Sequence, residues 1–359
     1  MRKRVAVVGA TGIAGQQFLV ALAGHPWFEV ALLAASERSA GKTYAEALRD
    51  PRSGARRWWC LEEPPAELLD RPVERADGLN LAGIDIVFAA VDSDAARVLE
   101  PQYARTTPVL STASAFRDEA DVPILVPGVN PAHAGLIEHQ RRARGWTGFI
   151  VPLPNCTTMG LVVTLRPLLD RFGIERVLMT SMQGLSGAGR SPGVIALDVL
   201  DNVIPYIPGE EEKVARETGK ILGRVAASGI VPTAFPVSAT CTRAAVSDGH
   251  TEAVSVSLGA PAGPADVAAA LAEFDGGLGG LDLPSAPRRL IRVHDDPFRP
   301  QPRLDRDVDG GMATSVGRIR EDPALERGVK YVLVSHNTKM GAAKGAVLTA
   351  EYLATSGHL

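Results

Sequence analysis

The sequence predicts an α/β protein that opens with a doubly wound parallel sheet and continues into a second, α+β domain. Short apolar runs such as residues 5–8 alternate with helical segments over the first 110 residues, as the buried strands of parallel sheets do. After Cys156 the strands become longer, and residues 251–258 alternate clearly between apolar and polar side chains. The chain has 359 residues, 45% of them hydrophobic, which is enough for two packed domains.

The first domain is predicted to comprise residues 1–155 and to be completed by the C-terminal helical segment 337–359. Its strands are predicted at 5–8, 30–34, 84–90, 108–110 and 148–153, and its helices at 13–22 and 94–99. The segment 40–82 is polar and rich in proline, which predicts an irregular insertion.

The second domain is predicted over residues 156–336. Its strands are expected at 175–181, 230–237, 251–258 and 329–335, and helices at 158–169, 194–203, 211–222 and 264–274, before a last helix at 341–354. Strands and helices follow one another irregularly here, which predicts an α+β domain with a mixed sheet.

Gly9, Gly12 and Gly15 lie in the turn between the first strand and the first helix. Glycines in this position allow a tight turn and let the pyrophosphate of a dinucleotide approach the N-terminus of the helix. The turn therefore predicts a Rossmann-type cofactor site that includes Gly9, Thr11, Gly12 and Ile13. The alternative is a structural β–α turn with incidental glycines.

The loop after the second strand indicates which dinucleotide binds. NAD-dependent enzymes usually have an acidic residue there for the ribose hydroxyls. Ser36, Arg38 and Ser39 instead suit a 2′-phosphate, so we expect NADP. Glu37 argues against this choice, and an ordinary solvated loop is the alternative.

Cys156 stands in the run Pro154-Asn155-Cys156-Thr157, after a predicted strand and at the start of a predicted helix. The positive end of the helix dipole favours the thiolate, which is a strong nucleophile toward acyl carbon. Asn155 supplies an amide that can stabilise an oxyanion. The alternative is a buried cysteine that acts only as a small apolar residue.

His250 follows a glycine at the start of a predicted strand, where it can take a proton from a thiol and later return it. Arg243 suits a bidentate contact with a substrate carboxylate. Gln183 is a polar group beside a glycine-rich loop, and Glu210 and Lys213 share one helix face. Each of these residues, taken alone, is more often an ordinary surface residue or a buried polar residue with satisfied hydrogen bonds.

These motifs together resemble the aspartate-β-semialdehyde dehydrogenases, in their archaeal and fungal branch. The matching stretches occur in the expected order from the Gly9 turn to the last helix. They are 111–117, 154–157, 183–189, 191–193, 200–207, 209–213, 217–222, 243–251, Asn337 and the helix after Gly341.

The resemblance implies a role for each matching residue. Cys156 would be the nucleophile and His250 the acid/base catalyst. Asn155, Gln183 and Arg243 would contact the substrate, with Arg243 on its carboxylate. Further implied contacts are Glu210 with the substrate amino group, Arg117 and Lys213 with the transferred phosphate, and Ser186, Gly187 and Asn337 with the cofactor.

The resemblance also implies a reaction and an assembly. The enzyme would reduce L-aspartyl-4-phosphate with NADPH through a Cys156 thioester, releasing phosphate and L-aspartate-4-semialdehyde for lysine, threonine and methionine biosynthesis. The second domain would be catalytic and would also form a homodimer or a dimer of dimers.

The chain departs from the family's pattern at Thr112, Gly128 and Thr242-Arg243-Ala244. These positions leave the substrate open, because a relative could reduce another acyl phosphate or an acyl-CoA, as malonyl-CoA reductases do. A non-catalytic, NADP-binding protein on the same fold is a third possibility.

Composition excludes other classes of function. The net charge of -3 and the absence of basic runs argue against a nucleic-acid or membrane surface. Cys60, Cys156 and Cys241 form neither a disulfide framework nor a metal site, so no metal is expected. The N-terminus lacks a signal peptide and no apolar run is long enough to span a membrane, which predicts a cytoplasmic protein with small-molecule partners.

Overall fold

The computed structural model describes residues 2–188, 196–226 and 229–359, which fall into two compact units. Unit 1 comprises Met1–Leu125, His133–Leu153 and Ala342–Leu359, and unit 2 comprises Val126–Ala132 and Pro154–Gly341. The strands of the described residues are β1 Lys3–Val8, β2 Phe28–Ala35, β3 Val73–Arg75, β4 Ile86–Ala89, β5 Val109–Ser111, β6 Ile150–Pro152, β7 Ile174–Gln183, β8 Val203–Ile204, β9 Arg224–Ala226, β10 Gly229–Val231, β11 Val237–Ala244, β12 His250–Leu258, β13 Ile291–Val293, β14 Thr314–Glu321 and β15 Gly328–Ser335.

The helices are distributed between these two units, and several of them are single turns. They are α1 Ile13–Leu22, α2 Tyr44–Ala47, α3 Ser93–Ala104, α4 Leu136–Arg144, α5 Cys156–Phe172, α6 Ala196–Val199, α7 Glu210–Ile221, α8 Pro264–Glu273, α9 Pro302–Asp305 and α10 Ala343–Thr355.

Unit 1 is built on a parallel sheet with the strand order β3-β2-β1-β4-β5-β6. The residues from Val5 to Val8 are fully buried, because a central parallel strand is covered on both faces. The order reverses between β1 and β4, and dinucleotides bind at such a switch point. The predicted doubly wound sheet is confirmed.

Helix α10 belongs to unit 1, although it is the last element of the chain. It packs against α1, and Glu351 in its middle is fully buried. The Glu351 Oε1 atom lies 2.8 Å from His25 Nε2, so this acid has a partner in the core. Buried carboxylates require such a partner.

Unit 2 is built on a mixed sheet with the strand order β13-β14-β15-β12-β7-β11-β8. Strands β7 and β11 are parallel, whereas β12 is antiparallel to both β7 and β15. Helix α5 packs on this sheet and is buried along most of its length. The opposite face of β7 exposes Leu178 and Met182. The predicted α+β unit with an exposed sheet face is confirmed.

The predicted strand 230–237 is wrong in its middle part. Strand β10 ends at Val231 and β11 begins at Val237. Pro232 and Pro236 lie between them, and proline cannot donate a ladder hydrogen bond. Most of β11, the strand that carries Arg243, was consequently not predicted.

The predicted helix 194–203 is shorter in the structure. Residues 194 and 195 lie outside the described residues, and α6 ends at Val199. Asp201 then has a φ of 56°, a left-handed conformation that a helix cannot contain, and β8 begins at Val203. Helix α4 and strand β14 were also not predicted.

Glu100 on α3 is a buried acid beneath the loop that follows β5. Its Oε1 atom accepts a hydrogen bond from the Ser111 hydroxyl, and its Oε2 atom has no partner among the described residues. Burial raises the pKa of Glu100 to about 7, although Ser111 and Arg117 act to lower it. The protonated carboxyl is therefore the form that the fold favours.

We expect Glu100→Gln to stabilise unit 1 at pH 8 and to have a much smaller effect at pH 5. The folded-state pKa is about 7 and the ordinary value is 4.5, so folding takes up a proton and wild-type stability falls as the pH rises through this range. Between pH 5 and pH 8, the gain in the free energy of unfolding of Glu100→Gln over the wild type should therefore grow by up to about 3 kcal/mol.

Urea unfolding followed by tryptophan fluorescence measures this effect, because all four tryptophans lie in unit 1. Glu67→Gln, at an exposed position of the same unit, is the matched control. A pH-independent difference between Glu100→Gln and the wild type would show that Glu100 is ionised in the folded state.

Candidate active site

Cys156 is the first residue of α5, and Asn155 caps this helix. The Asn155 Oδ1 atom accepts hydrogen bonds from the main-chain nitrogens of Thr157, at 2.9 Å, and Thr158, at 3.3 Å. The cap satisfies two of the free N–H groups at the helix start and fixes the helix terminus. The thiol consequently lies at the positive end of a 17-residue helix, where a thiolate is favoured.

Asn155 is held from two further sides by helix α7. Its main-chain nitrogen donates to Glu217 Oε2 at 2.6 Å, and its Nδ2 atom donates to Glu210 Oε1 at 2.9 Å. The side-chain amide thus acts in the cap and in the contact with Glu210. An oxyanion-binding role for Asn155 stays a prediction.

His250 begins β12 and points its ring at the thiol. The Nε2 atom lies 3.2 Å from Cys156 Sγ, and the Nδ1 atom accepts a hydrogen bond from the main-chain nitrogen of Gly184 at 3.1 Å. The preceding Gly249 has a φ of 91° and donates its N–H to Asn337 Oδ1 at 2.8 Å. The structure therefore places together the cysteine and the histidine that the sequence singles out.

The environment of His250 disfavours the imidazolium. The residue is fully buried, and burial, followed by the guanidinium of Arg243, lowers the pKa of His250 to about 3. The main chain of Gly249 acts in the opposite direction and is outweighed, and His336 adds a smaller lowering effect. The ring is neutral at physiological pH.

Arg243 lies near the end of β11 and is 7% exposed. Its Nη1 atom donates to the carbonyl oxygen of Gly184 at 2.7 Å. Burial lowers the pKa of the guanidinium, and the nearby Cys156 and Glu210 act to raise it. A largely buried guanidinium close to a thiol suits an anionic substrate group.

Glu210 forms a second polar cluster at the start of α7. Its Oε1 atom accepts hydrogen bonds from Asn155 Nδ2 at 2.9 Å, Gln183 Nε2 at 3.1 Å and Thr157 Oγ1 at 3.4 Å. Gln183 Nε2 also lies 3.3 Å from Ser181 Oγ. This cluster links three predicted site residues, Asn155, Gln183 and Glu210, within unit 2.

The loop after β7 needs glycine because the site's own side chains fill the space. A Cβ atom at Gly187 would lie 3.1 Å from both Arg243 Nη1 and His250 Cε1. The adjacent Ser186 accepts a hydrogen bond at its Oγ atom from Asn337 Nδ2, at 2.9 Å. Gly189 and the predicted motif 191–193 lie outside the described residues.

The glycine turn of unit 1 has the geometry of a dinucleotide cradle. Gly9 has a φ of 82°, and a Cβ there would lie 2.2 Å from the carbonyl oxygen of Ala90. A Cβ at Gly15 would lie 2.1 Å from the carbonyl oxygen of Gly9, so both residues must be glycine. Gly12 is exposed at the N-cap of α1, and Thr11 and Ile13 beside it are half-buried. The first turn of α1 is thus accessible to an anion.

The loop after β2 leaves Ser36 and Arg38 exposed and Ser39 half-buried. The neighbouring Glu37 lies 3.2 Å from Arg75 Nη1 in an exposed ion pair. This ion pair directs the Glu37 carboxylate toward β3. Glu37 is therefore a weaker argument against NADP than it is in the sequence alone.

The two predicted phosphate ligands lie in different units. Arg117 is a buried residue of unit 1, and its Nη2 atom donates to the carbonyl oxygen of Thr112 at 2.9 Å. Lys213 is half-buried in unit 2, one turn after Glu210 on α7. Their joint action on phosphate stays a prediction.

Two of the departures from the family pattern have structural explanations. Gly128 has a φ of 84°, a left-handed backbone conformation that favours glycine over glutamate. Thr112 holds Arg117 through its main-chain carbonyl, which any residue supplies. Neither position points to a different substrate.

Three contributors to the site were not predicted from the sequence, namely Gly184, Glu217 and His336. Glu217 was detectable in principle, because it lies two helical turns after Glu210 and thus on the same face of α7. The main-chain role of Gly184 has no signature in a sequence, since every residue except proline has an N–H group.

Unit 1 has a parallel sheet with a glycine-rich switch point, and unit 2 has a thiol–imidazole pair at the start of a helix. These two features define a dinucleotide-binding enzyme with a nucleophilic cysteine. Two family models, described as "Semialdehyde dehydrogenase, NAD binding domain" and "Semialdehyde dehydrogenase, dimerisation domain", match residues 4–137 and 165–340. The chain belongs to the semialdehyde dehydrogenase family, which confirms the resemblance.

Relatives match over nearly the whole chain. The aspartate-semialdehyde dehydrogenase of Methanothermobacter thermautotrophicus is 46% identical over 97% of this chain and 98% of its own length. That of Archaeoglobus fulgidus is 48% identical over 98% of both. The crystal structure of the Candida albicans aspartate semialdehyde dehydrogenase with NADP is 40% identical, covers both chains completely and has a TM-score of 0.89.

Within residues 2–188, 196–226 and 229–359, no helix is both long enough and apolar enough to cross a lipid bilayer.

Proposed function

We propose that the protein is an NADP-dependent, phosphorylating aspartate-semialdehyde dehydrogenase. It reduces L-aspartyl-4-phosphate to L-aspartate-4-semialdehyde through a thioester on Cys156. The observation that carries this proposal is the 3.2 Å contact between Cys156 Sγ and His250 Nε2 at the start of α5, in a chain of this family. The names of the relatives supply the substrate class.

The thioester explains why the enzyme needs a cysteine. A carboxylate resists hydride addition, whereas a thioester has an electrophilic carbon and a good leaving group. Cys156 at the helix terminus is the nucleophile. His250, whose Nε2 atom faces the sulfur, is the acid/base catalyst. NADP, when bound in its reduced form, supplies the hydride.

Four residues of unit 2 bind the aspartyl part of the substrate in this proposal. Arg243 provides the positive charge for the α-carboxylate, and Glu210 provides the negative charge for the amino group. Gln183 and Asn155 bond the same Glu210 oxygen and thereby orient its carboxylate. Arg243 and Glu210 lie close enough to interact electrostatically, and two opposite charges suit a zwitterionic amino acid.

Arg117 and Lys213 bind the phosphate that leaves. Both are cationic, and Arg117 is held rigidly by the carbonyl of Thr112. Phosphoryl oxygens are good acceptors for a guanidinium, which donates in a planar fork. This assignment predicts that phosphate rather than coenzyme A is the acyl acceptor in the reverse reaction.

Unit 1 binds NADP. The proposal includes two domains: a nucleotide-binding domain of residues 1–155 and 337–359, and a catalytic domain of residues 156–336. The pyrophosphate would approach Gly9, Thr11, Gly12 and Ile13, and the 2′-phosphate would contact the residues of the next loop. Those residues are Ser36, Arg38 and Ser39. Ser186 and Asn337, which bond each other, and Gly187, which lies against Arg243 and His250, would contact the nicotinamide end.

The protein forms a homodimer, and a dimer of dimers is the larger alternative. The family model of the second unit describes a dimerisation domain. Leu178 and Met182 are 43% and 38% exposed on β7, an interior strand of the seven-stranded sheet, so apolar side chains on this face are open to solvent. Such a face usually packs against a partner. We further propose a cytoplasmic role in lysine, threonine and methionine biosynthesis.

We expect purified protein to form NADPH continuously from aspartate semialdehyde and NADP only when inorganic phosphate is present. Absorbance of NADPH measures the rate, and parallel reactions contain NAD, coenzyme A or other aldehydes. Activity with coenzyme A but not with phosphate would identify an acyl-CoA reductase instead.

Cys156→Ser should lose roughly a thousandfold or more in kcat, because a hydroxyl is a far weaker nucleophile than a thiolate.

We expect Leu178→Glu to dissociate the dimer, since a charge on this sheet face would be buried in the proposed interface without a partner. Sedimentation velocity at micromolar concentration measures the change in assembly. Val98→Glu, at an exposed apolar position on α3 of unit 1, is the control and should leave the assembly intact. A monomeric wild type would contradict the assignment of this face.

A further inference from the structure

Two buried side chains bond the carbonyl groups of the glycine turn from the protein side. Tyr44 Oη donates to the carbonyl oxygen of Ala10 at 2.9 Å, and Gln16 Nε2 donates to that of Thr11 at 3.1 Å. Both side chains are fully buried. Burial, followed by nearby Cys60, raises the pKa of Tyr44, so its hydroxyl remains a donor. The conformation of the turn therefore depends on two residues outside the glycine motif.

The amide of Gln16 uses both of its hydrogens and its oxygen on main-chain partners. Besides the bond to Thr11, Nε2 donates to the carbonyl oxygen of Arg57 at 2.8 Å, and Oε1 accepts from the main-chain nitrogen of Trp59 at 2.8 Å. Two carbonyl acceptors and one N–H donor admit only this orientation of the amide. Gln16 thereby joins the glycine turn to the segment of residues 43–60, which lies between β2 and β3.

The other main-chain nitrogens of the turn bond within unit 1. Those of Gly9 and Ala10 donate to the carbonyl oxygen of Ala34, at 2.8 Å and 3.1 Å, and that of Gly12 donates to the carbonyl oxygen of Gly9 at 3.0 Å. From residue 9 to residue 12, only the nitrogen of Thr11 has no acceptor among the described residues. Since buried main-chain groups are nearly always paired, this N–H group is the one that the turn leaves for a ligand.

The bond to Tyr44 determines the direction of the Thr11 N–H group. In a planar trans peptide group, the N–H and C=O bonds point in opposite directions. The carbonyl of Ala10 points inward at Tyr44 Oη, so the N–H group of Thr11, which belongs to the same peptide group, points outward. A pyrophosphate approaches a helix N-terminus from this outer side.

We propose that Tyr44 and Gln16 are positioning residues for NADP. They keep two carbonyl oxygens of the turn, those of Ala10 and Thr11, turned away from the pyrophosphate, and they keep the Thr11 N–H group turned toward it. The proposal rests on the proposed function, because it assumes that the glycine turn holds NADP. The glycines give the pyrophosphate room to approach, and the two buried side chains fix the peptide orientation on which its attraction depends.

A rotated peptide group would repel the pyrophosphate. Without the hydroxyl of Tyr44, the carbonyl of Ala10 would be buried without a donor, which is costly, and rotation toward water on the cofactor side would relieve that cost. The rotation would replace the partially positive hydrogen of Thr11 by a partially negative oxygen facing the phosphate groups. The affinity for NADP would then fall, although no residue that touches the cofactor has been replaced.

The segment of residues 43–60 takes part in the same arrangement. It supplies Tyr44, and the main chain of Arg57 and Trp59 bonds the amide of Gln16. Gln16 cannot release Thr11 by turning its amide without also releasing this segment. The binding of NADP and the order of the segment are therefore coupled, and such a coupling acts equally in both directions.

Removal of one hydroxyl group tests the proposal with little disturbance of the fold. We expect Tyr44→Phe to raise the Kd of NADP about three- to tenfold, as the loss of one buried hydrogen bond should. The kcat at saturating NADP should change by less than about twofold, because the reacting groups are untouched. Isothermal titration calorimetry measures the Kd. Tyr331→Phe, which removes a buried hydroxyl bonded to Thr164 Oγ1 in unit 2, is the matched control and should bind NADP like the wild type.

A ligand without the pyrophosphate separates positioning from a general weakening of unit 1. Adenosine 2′-phosphate has the base, the ribose and the 2′-phosphate of NADP but lacks the pyrophosphate. We expect Tyr44→Phe to leave the Kd of this ligand unchanged, as measured by its competition with NADPH. An equal loss of affinity for both ligands would show that Tyr44 only supports the fold. That result, or an unchanged Kd of NADP, would overturn the proposal.

Gln16→Met keeps the length of the side chain but removes all three hydrogen bonds of the amide. We expect this variant to bind NADP about tenfold or more weakly. Hydrogen exchange of residues 55–63, followed by mass spectrometry, tests the coupling to the segment. NADP should slow this exchange in the wild type and not in Gln16→Met, and an unchanged wild-type exchange would contradict the coupling. If Gln16→Met does not fold, Tyr44→Phe and the wild-type exchange decide the question.

The binding measurements separate this proposal from the proposed function. A protein that oxidises no semialdehyde, but whose NADP binding Tyr44→Phe weakens as expected, would refute only the assigned reaction. An active enzyme in which Tyr44→Phe binds NADP as tightly as the wild type does would refute only the positioning role.

Discussion

The geometry of the site depends on how firmly the start of α5 is held. Asn155 bonds the helix through its side chain and is itself bonded by Glu210 and Glu217 on α7. Because the sulfur is attached to the first residue of this helix, its distance to His250 follows from the position of the helix terminus. A shift of 1 Å would remove the contact between sulfur and imidazole, since productive geometry tolerates little displacement.

This rigidity requires a polar core in unit 2. Glu210, Glu217, Arg243 and His250 are all nearly or fully buried. Buried polar groups are costly unless their hydrogen bonds are satisfied, and the network supplies those bonds within a single unit. Glu252 is one exception, because both of its carboxyl oxygens lack a hydrogen-bond partner among the described residues. A protonated acid is the least costly form for such a position.

The sequence predicted the elements whose signal is local. Apolar strands, glycines at a β–α turn and a cysteine after a strand each reflect the physics of a few adjacent residues, and the matching parts of the fold are confirmed. Strand β11 was largely missed because Pro232 and Pro236 interrupt the pattern before it. The bond from Gly184 to His250 joins positions 66 residues apart through a main-chain atom, and no side-chain pattern encodes it.

The central claim is that Cys156 carries the acyl group. Protein incubated with aspartate semialdehyde and NADP, but without phosphate, should form NADPH in a burst of one equivalent per site. Mass spectrometry should then find one aspartyl group on the Cys156 peptide, and added phosphate should release it. A burst without this adduct, or an adduct on Cys60 or Cys241, would contradict the account.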